Sequence, residues 1–169
     1  DSTNVIPAPE AAVITNIGLE HTAILGSTLA AIAAEKSGIL KPGCRAVLYG
    51  QSREVGEIVA RACVEKNIPL TVTDDSQLTL LSSALDGQHF TYRGSAPLLL
   101  PLLGDYQLRN AMTVLDTVDA LRAQGRSISD DAVARGLAAA RWPGRLELVR
   151  RRPDLIIDGG HNPQCAQAL

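Results

Sequence analysis

Blocks of apolar residues alternate with amphipathic stretches over residues 11–73, and the alternation has two periods. Ala11-Ala12-Val13-Ile14-Thr15-Asn16-Ile17 is a short, nearly continuous apolar run ending in a polar turn with Gly18. Ala46-Val47-Leu48-Tyr49 and Pro69-Leu70-Thr71-Val72-Thr73 are similar runs. Such runs predict strands buried on both faces, as in a parallel sheet. Between them lie two helical patterns. In Thr28–Lys36, Leu29, Ile32 and Ala33 recur at three- and four-residue spacing, and Gly38 follows as a stop. In Val55–Lys66, Val55, Ile58, Val59 and Ala62 share one face. Strand, helix, strand, helix, strand predicts an α/β fold, a parallel sheet with crossover helices. Three strands are few for a sheet covered on both faces, so further sheet is expected before Asp1.

The pattern changes after Asp74. Leu78–Leu81, Gln88–Tyr92 and Leu98–Leu100 are short runs separated by Asp86-Gly87 and Arg93-Gly94-Ser95, which predicts a small antiparallel meander. Two helices follow, near 108–124 and 130–140, the second with Ser129 as N-cap. Trp142-Pro143-Gly144 breaks the helix and makes a natural linker. Leu146–Val149 and Leu155–Ile157 predict a new strand pair, and a helix is expected from Pro163 to Leu169.

Composition narrows the partners. The chain has 169 residues, 46% hydrophobic, enough for one core and part of another. A net charge of −2 gives no basic field for nucleic acid or anionic membrane, and 3% aromatics leave little for base stacking. Arg150-Arg151-Arg152 reads as a solvated strand end or turn. Three scattered cysteines with no CxxC spacing favour a reducing cytoplasm. No 18-residue apolar span and no signal peptide occur. The first residue is Asp, which points to a fragment.

Five places can carry chemistry. Glu20-His21 lies just past the first strand, where an imidazole can contact phosphate or a metal. Lys36 ends the first helix. There it offsets the helix dipole or, near a metal and deprotonated, takes up CO₂ as a carbamate; burial would favour that. Gln107 and Asn110 share a face at a helix start, with amides able to read a base edge or cap the helix. Arg145 follows Pro-Gly on a rigid turn, so its guanidinium can clamp a transferring phosphoryl group. Asp158-Gly-Gly-His161-Asn-Pro ends a strand, the usual place for α/β sites. Asp158 can bond a ribose hydroxyl or orient Arg145, and His161 can contact a nucleotide. The plain alternative is an interdomain salt bridge. Neither a G-x-x-x-x-G-K-[ST] nor a G-x-G-x-x-G motif is present.

The order of these blocks is more specific than any one of them. Ile-Thr-Asn-Ile before Glu-His, Glu-Lys-Ser-Gly-Ile-Leu-Lys-Pro-Gly, Gln-x-x-Asn-Ala, Trp-Pro-Gly-Arg-Leu-Glu and Asp-Gly-Gly-His-Asn-Pro succeed one another. The series resembles the Mur-ligase superfamily, specifically folylpolyglutamate synthase/dihydrofolate synthase, over essentially the whole chain. The resemblance implies part of a P-loop-type parallel sheet with a meander, then the start of a Rossmann-like C-terminal domain. Residues 1–144 would be the second half of the central ATPase domain and 145–169 the start of the C-terminal domain. It implies ATP-dependent ligation of L-glutamate to a folate or dihydropteroate carboxylate through an acyl phosphate. By position, His21 matches a Mg²⁺ ligand and Lys36 the carbamylated lysine. Asn110 matches the adenine-contacting amide, and Arg145 the arginine that reaches the ATP phosphates. Asp158 and His161 match residues closing over the nucleotide, and Asp1 and Ser2 fall at the pterin site. The catalytic group would then be Lys36, His21 and Arg145.

Three departures are mild: Glu20 stands for an Asp, Tyr106 for a His, and Gly160 for an Ala. The phosphate loop and an upstream metal Glu would lie before Asp1, in the missing N-terminal half, and most of the C-terminal domain after Leu169. Alternatives are a muramyl–amino-acid ligase of the same superfamily and a non-catalytic nucleotide-binding module.

Overall fold

The computed structural model describes residues 4–19, 26–161 and 165. His21, Asp1, Ser2 and all of the expected last helix except Cys165 lie outside the described residues. The chain divides into two compact units interleaved in sequence. The first comprises 1–73 and 113–127, the second 74–112 and 128–169. The Trp-Pro-Gly linker falls inside the second.

The first unit is built on a parallel sheet, β1 (Ala11–Ile14), β2 (Arg45–Leu48) and β3 (Leu70–Val72), in the order β1-β2-β3. Helices α1 (Leu29–Lys36) and α2 (Arg53–Glu65) make the crossovers. Register is simple: Val13 pairs with Val47, and Val47 with Thr71. Val47 and its neighbours Ala46 and Leu48 are all buried, so β2 is covered on both faces, as its unbroken apolar run predicts.

Each crossover helix starts on a side-chain cap, Thr28 Oγ1 accepting from the Ala31 amide and Ser52 Oγ from that of Val55. From α2, Val55, Val59 and Cys63 are fully buried at four-residue steps, while Ile58 and Ala62 flank them half-buried. Complete burial of each valine contributes on the order of 1.5–3 kcal/mol. Ile32, Ala33, Leu40 and Ile68 complete this core. Gln51 staples the carboxyl ends of the strands. Its Oε1 accepts from the Ile17 amide at 2.9 Å, and its Nε2 donates to the Thr15 and Tyr49 carbonyls. The segment leaving β1 is thereby fixed as far as Ile17. At the other end Arg126 grips both oxygens of Glu10, and Gln124 donates to the carbonyls of Glu10 and Gly43.

The second unit holds the meander β4 (Leu78–Ala84), β5 (Gly87–Tyr92) and β6 (Leu98–Leu100), and the pair β7 (Glu147–Arg150) and β8 (Leu155–Ile157), all antiparallel. Helix α3 (Asp105–Ala123) begins in this unit and ends in the first. Helix α4 (Asp130–Ala138), capped by Ser129 as expected, packs on β6. Gln88, Phe90 and Tyr92 alternate inward on β5 with Leu98 and Leu100 beside them. Strand β4 runs to Ala84 rather than Leu81. Its last residues, Ser82, Ser83 and Ala84, are exposed and carry no apolar signature; pairing with β5, across a bulge between Leu80 and Ser82, extends it. Among the described residues no helix is long and apolar enough to cross a membrane.

Candidate functional site

The candidate residues of the second unit gather where α3 begins, beside the turn after Trp-Pro-Gly and the end of β8. Buried Gln88 sets the approach to the helix. Its Nε2 donates to the carbonyls of Leu102 at 2.8 Å and Gly104 at 3.2 Å, fixing the loop that enters α3. Gly104 then turns at φ +93°, where a Cβ would stand 2.7 Å from Tyr106 Cε1 and 2.9 Å from Leu146 Cδ1. Glycine is required there on two grounds, the left-handed backbone and the close approach of two side chains.

Asp158 is the hub. Its side chain is only 11% exposed. Oδ2 accepts from the Leu146 amide at 2.8 Å and from the Tyr106 hydroxyl at 3.4 Å; Oδ1 accepts from the Gly160 amide at 2.5 Å. Arg145 Nη1 stands 3.9 Å from Oδ1. These bonds, the Leu146 amide first, and the nearby guanidinium hold the Asp158 carboxyl below the usual carboxylate range. Tyr106 moves the other way: burial first, then the Asp158 charge, pushes its phenol up. The pair is therefore a carboxylate facing a protonated hydroxyl that can donate to it.

The turn carrying Arg145 is held from several sides. Gly159 donates its amide to the Gly144 carbonyl at 2.7 Å, and the Gly144 amide donates to Glu147 Oε2 at 2.7 Å. Leu146 adopts φ +43°. A left-handed conformation costs a non-glycine residue on the order of 1–2 kcal/mol. The charge-assisted bond from the Leu146 amide to Asp158 offsets that cost at the same residue.

Arg145 and Asp158 are thus brought within ion-pair distance of each other. The Asp158 oxygens are already occupied by three protein donors. His161 is exposed at the end of the same turn, its Nδ1 3.0 Å from the Gly159 carbonyl. Asn110 is exposed one turn along α3 from Tyr106, with its amide donating to Gln107 Oε1 at 3.0 Å. A groove of roughly 620 Å³ opens beside this network, lined among others by Arg141, Trp142, Arg145, Leu146, Glu147 and Arg151. Three guanidinium groups against the two carboxylates of Asp86 and Glu147 leave a small excess of positive charge, which suits an anionic ligand. Sequence reasoning passed over Gln88, Leu146 and Tyr106 as site residues. The signal available for Tyr106 was its departure from the family's His.

Lys36 ends α1 in the first unit and is exposed, so the described residues do not supply the burial that would favour a carbamate. The Mg²⁺ that the resemblance implies would draw on His21, outside the described residues, and on Lys36. An ammonium is no ligand for this hard cation, so Lys36 suits it only as a carbamate, whose oxygens do. No cluster of three potential metal ligands occurs among the described residues.

Comparison with known proteins agrees with this architecture. No family model matches the chain. A dihydrofolate synthase/folylpolyglutamate synthase of Mycobacterium tuberculosis is 38% identical over 100% of this chain and 37% of its own length. The folylpolyglutamate synthase of Lacticaseibacillus casei is 36% identical, over 100% and 41%. Among solved structures, the apo form of the L. casei enzyme matches with a TM-score of 0.87 and 33% identity over 99% of this chain and 42% of that one. A complex of the M. tuberculosis folylpolyglutamate synthase with ADP and AMPPCP matches at 0.82 and 37% over 99% and 39%. The parallel sheet, meander and strand pair are those of a Mur-type ligase fold. Within that class the chain is similar along its whole length, in sequence and fold, to folylpolyglutamate/dihydrofolate synthases. It spans about two-fifths of the length of the curated relatives it matches.

Proposed function

We propose that the protein containing this chain ligates L-glutamate to a folate or dihydropteroate carboxylate, driven by ATP. The supporting observation is a likeness to folate-glutamate ligases along the whole chain, together with Arg145 and Asp158 side by side on an arginine-lined groove. In this reading a carboxylate oxygen of the acceptor attacks the γ-phosphorus and ADP leaves. The glutamate amine then attacks the acyl carbon, loses a proton, and expels phosphate. Arg145 stabilises charge developing on the transferred phosphoryl group, which asks for a cation held in place rather than for covalent work by the protein. Asn110 contacts the adenine, His161 the nucleotide, and Asp1 and Ser2 the pterin. His21 and Lys36 serve Mg²⁺. Residues 1–144 count as ATPase domain and 145–169 as the start of the C-terminal domain. The compartment is the cytosol, where the buried free thiols of Cys44 and Cys63 fit.

The test is phosphate release by the full gene product with ATP, Mg²⁺ and L-glutamate, offering dihydropteroate, tetrahydrofolate or a muramyl nucleotide. Release that depends on a pteroate or folate is expected. Release only with the muramyl acceptor, or with none, overturns the reading.

A further inference from the structure

The Tyr106 hydroxyl has no place in the reaction just described, yet it is aimed at Asp158, one of the two carboxylates that hold the Arg145 turn, the other being Glu147. The Tyr106 ring stands over Gly104, where an added Cβ would come within 2.7 Å of Cε1, so it packs directly on the loop that enters α3. Across the Trp-Pro-Gly linker, Asp158 ties three points together: the hydroxyl of Tyr106, the amide of left-handed Leu146 and the amide of Gly160. Arg145 sits between two fixed neighbours, Gly144 bonded to Gly159 and Leu146 bonded to Asp158. Without the Tyr106 contact, the Asp158 loop and the Arg145 turn still hold each other. What they lose is their direct side-chain tie to the start of α3, and so their position relative to Asn110.

We propose that Tyr106 is a positioning residue: through Asp158 it fixes the Arg145 turn against the start of α3, setting where the guanidinium meets the transferred group. This rests on the reading of Arg145 given above. A residue acting this way should affect turnover and leave the ground-state affinity for ATP nearly alone. Its effect should also vanish once Arg145 is gone, because coupled residues do not add.

The experiment uses the full gene product as wild type, Tyr106→Phe, Arg145→Ala and the double variant. Tyr106→Phe keeps the ring and removes only the hydroxyl, and thermal unfolding confirms that each variant is folded. Expected is a fall in kcat of roughly 2- to 13-fold, the range spanned by one hydrogen bond, with KM for ATP near wild type. In the Arg145→Ala background Tyr106→Phe should cost nothing further. The same fold-loss in both backgrounds, or a rise in KM alone, overturns the proposal. Hydrogen exchange over residues 144–148 gives a second readout that needs no activity. Faster exchange in Tyr106→Phe supports the tie and unchanged exchange refutes it. Should the wild type release no phosphate with any acceptor, the functional reading fails and the exchange result still judges the tie.

Discussion

Replacing Gly104 by alanine tests the reasoning about the site quantitatively, because the chain carries its own control. Gly94 lies in the same unit at φ +75° with nothing within 4 Å of an added Cβ; Gly104 lies at φ +93° with Tyr106 Cε1 at 2.7 Å and Leu146 Cδ1 at 2.9 Å. Both substitutions place an L side chain in the left-handed region, at about 1–2 kcal/mol. Only Gly104→Ala also overpacks, adding about 1–3 kcal/mol. Gly94→Ala should therefore destabilise the second unit by about 1–2 kcal/mol and Gly104→Ala by about 2–5 kcal/mol. Hydrogen exchange of the β5 amides reads the opening of this unit. The difference between the two variants corresponds to an opening constant about 5- to 150-fold larger for Gly104→Ala. Part of the clash can be relieved by the Tyr106 ring swinging away, which breaks its contact with Asp158. Exchange over residues 144–148 should then rise as well, and only in Gly104→Ala. Equal acceleration by the two alanines would show that Gly104 is needed for its backbone alone and that the close approach of Tyr106 and Leu146 is wrong.

Two further outcomes can be measured, the first from the same geometry and the second from the proposed function. Asp158 has its carboxyl depressed in the folded state, so the unfolded chain binds its proton first and stability rises with pH through that window. Its contribution should be complete at neutral pH and lost as the pH falls below the ordinary carboxylate range. Acid unfolding of wild type against Asp158→Asn measures this, and a gap that widens toward acid would refute it. Lys36→Ala in the full gene product should cripple turnover, with partial rescue by high CO₂ or a short carboxylate; near-normal activity without rescue would remove Lys36 from the chemistry.

Where burial and periodicity coincide, the chain was legible. β1 and β2 are short, apolar and largely covered, and β3 was legible from its apolar run although Val72 stands 45% exposed. α2 was legible from its four-residue stripe, although its first residues, Arg53 and Glu54, and the Ser52 cap were not read from it. The meander was legible in outline, but Ser82–Ala84 is strand only because β5 pairs with it, and no local preference of serine says so. Helix α3 starts at Asp105 rather than Leu108 since its first turn is polar and anchored from outside by Gln88 through the loop. The site divides the same way. Arg145 and Asp158 stood out by type and by their glycine neighbours. The Tyr106 contact joins residues 52 positions apart, and the conformation of Leu146 depends on a carboxylate 12 residues away. Contacts of that separation are properties of the folded chain and leave no mark on a window of sequence.

The interleaving of the two units has a consequence for synthesis. Glu10 leaves the ribosome long before Arg126, its partner 116 residues later, and Gln124, which bonds the Glu10 and Gly43 carbonyls, emerges almost as late. At cellular elongation rates the gap is about 6–23 s. Once β3 has emerged at Val72, 54 residues remain before Arg126, about 3–11 s, during which the nascent sheet has its crossover helices but not the closing end of α3, and the meander is threaded out before the first core is complete. Neither unit can mature as an independent N-terminal bead. A truncation between Met112 and Ser127 should therefore damage the early residues around Glu10 and Gly43 as well as the second unit, from which it removes 128–169.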